Sequence, residues 1–226
     1  MKPTELMFSN CTLAILEKWL GLHKQYNNTT LETWLASDAE IFPYEVQSIQ
    51  ILRSALADNS EHWNEQSLSL HYIGPMFSFA QFTMPYRFNL FAQSNVEAVV
   101  DDIKLFGRVD EMIATGFREP KIPYFAFNAY KRKASPDLSE GEENNDPAGQ
   151  CLAAMLAGQA LNHKKETVYG CYVIGATWYF MVLEGKHYAM SNSFDGRDID
   201  EALQILRILK ALKEVCMQRT AHLVEG

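Results

Sequence analysis

Cysteine is scarce in this chain and poorly placed for chemistry. Cys11, Cys151, Cys171 and Cys216 are scattered, with no CxxC and no metal-binding spacing. That excludes a zinc ribbon and a disulfide-stapled scaffold, and the four read as reduced, mostly packed thiols of a cytoplasmic protein. The six histidines form no HxxxH pair, so a helix-borne zinc site is not expected. No apolar run reaches the length of a membrane span. The start, "MKPTELMFSN", lacks a basic stretch followed by an apolar run, so no secretion signal is expected. Positive charge is in the minority, with 20 Lys and Arg against 28 Asp and Glu and a net charge of -8. Such a chain does not coat nucleic acid nonspecifically, which takes many cationic contacts to phosphate. A local basic groove stays open. What is plentiful is apolar side chain: 47% of 226 residues, enough for one substantial domain with an extension.

Residues 1–82 read as helical. "TLAILEKWLGL" has helical apolar spacing with Gly21 near its end, and "TTLETWLA" reads as a short helix capped by Thr29 or Thr30. "YEVQSIQILRSALAD" carries a broad apolar stripe. "NEQSLSLHYIGPMFSF" opens on Asn64 as N-cap and is kinked or ended by Gly74-Pro75. From 86 to 130 the runs "YRFNLFAQ", "VEAVVDD", "RVDEMIAT" and "PYFAFNAY" read as short strands, the last central. An acidic loop fills 134–146, and its length suggests function or disorder. Asp146-Pro147 then opens a helix whose small residues allow close approach to a sheet. Three strands follow, turning at Gly175-Ala176 and Glu184-Gly185-Lys186, and "DIDEALQILRILKALKEVCM" closes the chain as a helix. The expectation is an α/β fold, a sheet flanked by helices.

Four residue positions stand in an informative order. Glu65 lies in the first turn of one helix, Asp110 on a hairpin strand, Lys131 at the exit of the next strand, and Gln150 at the start of the helix after it. Taken singly, Asp110 reads as a surface strand residue, Glu65 as a first-turn carboxylate, Gln150 as an ordinary helix residue and the lysine cluster as a solvated strand end. Taken together, they suit phosphodiester hydrolysis. A magnesium-type ion needs hard oxygen ligands on rigid neighbouring strands, here Asp110 and the Tyr130 carbonyl. A lysine beside them can orient water and stabilise developing charge.

In that order the chain resembles the PD-(D/E)XK nuclease superfamily, with its restriction-endonuclease-like fold. It looks most like small standalone bacterial members related to the N-terminal nuclease domain of type I restriction subunits. "NEQSLSLHYIGPMF" is similar to the family's helix motif, "GRVDEMIA" to its Asp strand, "PYFAFNAYKRK" to its ExK strand, and "DPAGQCLAAMLAGQALN" with the strands after it to the remainder. The resemblance covers roughly 40–215. It implies a mixed central sheet flanked by helices over 41–226, with an N-terminal helical extension over 1–40. It also implies a Mg²⁺- or Mn²⁺-dependent nuclease acting on DNA in restriction, phage defence or repair. The residues it assigns are Glu65, Asp110, position 129, Lys131 and Gln150, with Asp110 and Tyr130 on the metal. Arg108, Arg118, Lys121, Lys131, Arg132 and Lys133 would form a nucleic-acid rim, and a second copy or a defence-system protein is compatible as partner.

Where the family has glutamate, this chain has Ala129. Metal binding should be weakened. Asn128 and Glu111 are adjacent, but strand alternation points both away; Glu97 is the other nearby acid. Two accounts stay open: a Glu→Ala replacement in a working nuclease, or a natural pseudo-nuclease that binds or scaffolds. The aromatic run Tyr172, Trp178, Tyr179, Phe180 and Tyr188 reads as core, and the histidines as structural.

Overall fold

A computed structural model of the chain describes residues 4–131, 146–163 and 166–224. Nine strands form one mixed sheet with helices on both faces, so the expected α/β class holds. The strands are β1 (Glu5–Met7), β2 (His23–Lys24), β3 (Asn89–Val100), β4 (Ile103–Thr115), β5 (Lys121–Lys131), β6 (Val168–Ile174), β7 (Thr177–Glu184), β8 (His187–Met190) and β9 (Phe194–Asp195). The helices are α1 (Leu13–Leu20), α2 (Thr29–Leu35), α3 (Pro43–Asn59), α4 (Glu65–Leu68), α5 (Gly74–Ala80), α6 (Pro147–Leu161) and α7 (Ile199–Arg219).

The first 82 residues are not purely helical. β1 pairs with β4 and β2 with β8, both in parallel. Strands of three and two residues are held by their partners, not by their own propensity. The cap of α2 also differs from expectation: Asn28 Oδ1 accepts the Leu31 N–H at 2.8 Å, so neither Thr29 nor Thr30 is the cap. Asn64 does cap α4, accepting from Ser67 N at 2.8 Å. Between α4 and α5 the helix widens into a π-type stretch, Ser69–Ile73. Pro75 has no N–H to continue the ladder, and the Gly74 N–H bonds back to Ser69 O.

β3, β4 and β5 run antiparallel in sequence, α6 crosses over, and β6 returns parallel to β5. α6 lies tight on the sheet. A Cβ on Gly158 would collide with the Phe127 ring. Asp146 caps α6 through Gly149 N at 3.0 Å, and its other oxygen accepts Leu13 N at 2.9 Å, tying α1 to α6. The α6 side of the sheet holds one apolar cluster; α2, α3, α5 and α7 cover the other. All four cysteines are free and buried, and Trp178, Phe180 and Tyr188 are core. Among the described residues no helix is long and apolar enough to cross a membrane.

Candidate active site at the fork of two strands

β4 has different partners along one edge. Lys104–Phe106 pair with β1, and Glu111–Thr115 pair with β5. Residues 107–110 lie between, where the ladder opens. Asp110 fills that opening. Its Oδ2 accepts the Tyr130 N–H at 3.0 Å, and its Oδ1 accepts Gln93 Nε2 from β3 at 3.2 Å. The carboxylate therefore bridges the strands on either side of its own.

Lys131, the last residue of β5, places Nζ 3.4 Å from Glu65 Oε1 at the start of α4. Tyr130 donates its hydroxyl to Ser69 Oγ at 3.1 Å. Beside the ion pair lies a cleft of about 480 Å³, lined by Glu65, Ser69, Gln93, Asp110, Glu111 and Tyr130 among others. Burial raises the Asp110 pKa above the ordinary carboxylate value; the Tyr130 N–H and the Lys131 charge oppose that rise. Burial pushes Tyr130 up to about 12.

Glu111 is not turned away from the cleft. It is 5% exposed, lines the cleft beside Asp110, and has its pKa pushed up to about 8 by burial and by the Asp110 charge. Alternation fails here for a visible reason. Val109 and Met112, three residues apart, pack in the same α6-side cluster, so the phase slips between them. Opposite the slip, Gln93 has φ 53. Across the ladder Glu111 pairs with Asn128, whose Oδ1 accepts the Cys171 thiol at 3.0 Å. Glu111 Oε2 and Asn128 Nδ2 are both buried without a hydrogen-bond partner.

Of the expected set, Glu65, Asp110, Tyr130 and Lys131 come together. Ala129 is 3% exposed and belongs to the α6-side apolar cluster. Gln150 lines a separate cavity of about 590 Å³ with Phe8, Asn95, Glu97 and Arg108, and its Oε1 is buried without a partner. Two members of the expected basic rim lie away from the cleft. Arg118 and Lys121 sit at the opposite end of β5 from Lys131, because the β4–β5 hairpin returns there. Arg108 Nε donates to Gln93 O at 3.0 Å. Arg132, Lys133 and the acidic loop from 134 to 145 lie outside the described residues. Glu97 pairs with Lys104 at 3.0 Å, away from the cleft.

Ser69 and Gln93 were not anticipated. Ser69 stands four residues after Glu65, a same-face spacing on a helix that does signal it. Nothing in the local sequence marks Gln93.

The residues present do not make a full divalent-ion site. Asp110 supplies one carboxylate, and position 129 supplies a methyl group. Among the described residues no three His, Cys, Asp or Glu side chains group to hold a metal ion. Against protein families the chain matches no family model, and no curated protein matches it significantly.

Proposed function

We propose that the chain is a PD-(D/E)XK-type nuclease in build, made to engage a phosphodiester strand at the Asp110 cleft and impaired in cutting by Ala129. The observation that carries this reading is the meeting of Glu65, Asp110 and Lys131 at the fork of β4 and β5. The order of elements supports the reading: β4 and β5 run antiparallel and β6 lies parallel to β5. Restriction-endonuclease-like folding, DNA as substrate, and a place in restriction, phage defence or repair follow from the same resemblance. The lysine would meet a phosphate oxygen, and Asp110 would supply one of the two acids that a Mg²⁺ or Mn²⁺ ion needs there.

A second reading has its own support. Ala129 is packed in an apolar cluster and Lys131 is already ion-paired, which suits a natural pseudo-nuclease that binds without cutting. The deciding measurement is Mg²⁺- and Mn²⁺-dependent cleavage of supercoiled DNA, linear DNA and RNA by this chain and by Ala129→Glu. Cleavage by the variant supports the impaired nuclease. A folded, metal-bound variant that cuts none of them moves the reading to the binding protein.

A further inference from the structure

The two turns at the far end of the β3–β4–β5 sheet hold their aromatic residues outward. Tyr86 is 91% exposed and Phe117 is 80% exposed. Neither stands alone: both line one cavity of about 440 Å³, with Pro85 and Gly116 between the two turns. Tyr86 has φ 65, a left-handed conformation that side-chain-bearing residues rarely adopt. Its ring is not buried, so packing does not explain why the chain tolerates that conformation.

The turns are locked to one another. Asn89, at the start of β3, donates its side-chain N–H to the Gly116 carbonyl. Gly116 has φ 105, and a Cβ there would collide with the Glu119 carbonyl. The Thr115 hydroxyl lies 2.7 Å from Ile122 O and closes the base of the turn. The backbone that carries the two rings is therefore held before any ligand arrives, which lowers part of the ordering cost of binding.

The charge around them is positive, on a chain whose net charge is -8. Arg87, Arg118 and Lys121 flank the rings, and Glu119 is the one acid in the two turns. Among the described residues no ion pair or side-chain hydrogen bond engages those three cations. Free surface cations beside exposed rings suit a ligand that is flat, aromatic and anionic at once.

We propose that this tip is a second binding site, which takes an unpaired base of a single-stranded nucleic acid between Tyr86 and Phe117, with Arg87, Arg118 and Lys121 on the flanking phosphates. Every base has a π-face, so such a site is tolerant of sequence, and a duplex keeps its faces stacked and unavailable. Both rings line one cavity, which suits a flat base held between them; an anionic lipid surface is the competing occupant, and the vesicle measurement below separates the two. The tip lies about 20 Å along β4 from Asp110, six residues at about 3.3 Å each. It stands whether or not the Asp110 cleft cuts.

The test is metal-free fluorescence anisotropy of a labelled oligothymidylate of about twelve nucleotides and of a duplex of equal length. The unchanged chain is compared with Tyr86→Ala/Phe117→Ala and with Arg118→Glu. The replaced side chains are exposed, and an unchanged melting temperature confirms folding. The double variant should lose single-strand affinity by about tenfold to a hundredfold, with duplex binding unmoved. Arg118→Glu should weaken the single strand and flatten its dependence on salt. Equal single-strand affinity in all three forms overturns the proposal. So does binding to phosphatidylcholine–phosphatidylserine vesicles that the double variant loses, with no oligonucleotide binding by any form. Because no cleavage is read, failure of the nuclease reading leaves this result intact, and failure here leaves the cleft untouched.

Discussion

Lys131 Nζ stands 3.4 Å from Glu65 Oε1, joining the last residue of β5 to the first residue of α4. Both side chains are partly exposed, at 22% and 42%. A pair in that setting is screened by water and holds little stability. It does hold the lysine within electrostatic reach of Asp110, and a phosphate can displace the glutamate at modest cost.

Lys131→Ala and Glu65→Gln should therefore each change the unfolding free energy by less than about 1 kcal/mol, read by urea titration. Their effects on strand affinity should be opposite. Removing the lysine should weaken binding and lower the salt slope by about one phosphate contact. Removing the glutamate charge should strengthen binding. A loss of several kcal/mol from either variant would make the pair a structural strut.

Glu111 gives the protein a pH signature. Its folded pKa is about 8, above the ordinary 4.5, through burial and the Asp110 charge. The Tyr130 hydroxyl and the Cys171 thiol also lie within its electrostatic reach, and both are raised by burial. The folded state holds the Glu111 proton between pH 4.5 and about 8, while the unfolded chain has released it. Stability is thus favoured at the acid end and declines as pH rises through that window. Asp110, also raised, acts in the same direction. The melting temperature should fall from pH 5 to pH 8, and Glu111→Gln should flatten the fall, gaining about 1–3 kcal/mol at the alkaline end. A flat wild-type profile would mean that Glu111 keeps its charge solvated.

Asp146 ties α6 and α1 together with one carboxylate, through Gly149 N and Leu13 N. Asp146→Ala removes a helix cap and a long-range contact in one step. The expected loss is about 1–2 kcal/mol, the upper part of the range for a cap. Denaturant unfolding measures it; a loss of a few tenths would mean that water replaces both bonds.

Much of the scaffold was legible because local chemistry decided it. Asn64 and Asp146 are caps whose side-chain oxygens meet nearby N–H groups, and Pro147 and Gly21 mark helix ends through their own backbone preferences. Asp110, Lys131 and Glu65 were legible as an ordered set. Other features depend on distant partners. β1 and β2 exist only because β4 and β8 offer open edges. Glu111 was misplaced because alternation is a local rule, and the slip that breaks it is shared with Gln93 on another strand. Arg118 and Lys121 lie away from Lys131 because residues near a strand start and residues at its end lie at opposite ends of the sheet. Tyr86 reads as part of a strand in "YRFNLFAQ", yet it sits in a turn with its ring in solvent.

The sharpest prediction concerns position 129. Ala129 is 3% exposed within the α6-side cluster, so a glutamate there enters apolar surroundings. Without metal, Ala129→Glu should be less stable than the parent, because a buried carboxylate without a partner is costly. If the site is that of an impaired nuclease, the new carboxylate completes a pair with Asp110, and Mn²⁺ should then raise the melting temperature of the variant far more than that of the parent. Binding to the folded state alone produces that rise by mass action. Adding Asp110→Ala should remove it, since one carboxylate of the pair is lost again. Lys131→Ala in the Ala129→Glu background should keep the metal-dependent rise but lower single-turnover cleavage by about 10²–10³-fold, the usual loss for one preorganised contact to developing charge. Scanning calorimetry with and without Mn²⁺ separates the two effects. An Ala129→Glu protein that Mn²⁺ stabilises no more than the parent would show that positions 110 and 129 do not share an ion. Cleavage that survives the loss of Lys131 would keep the metal pair and take the lysine out of the chemistry.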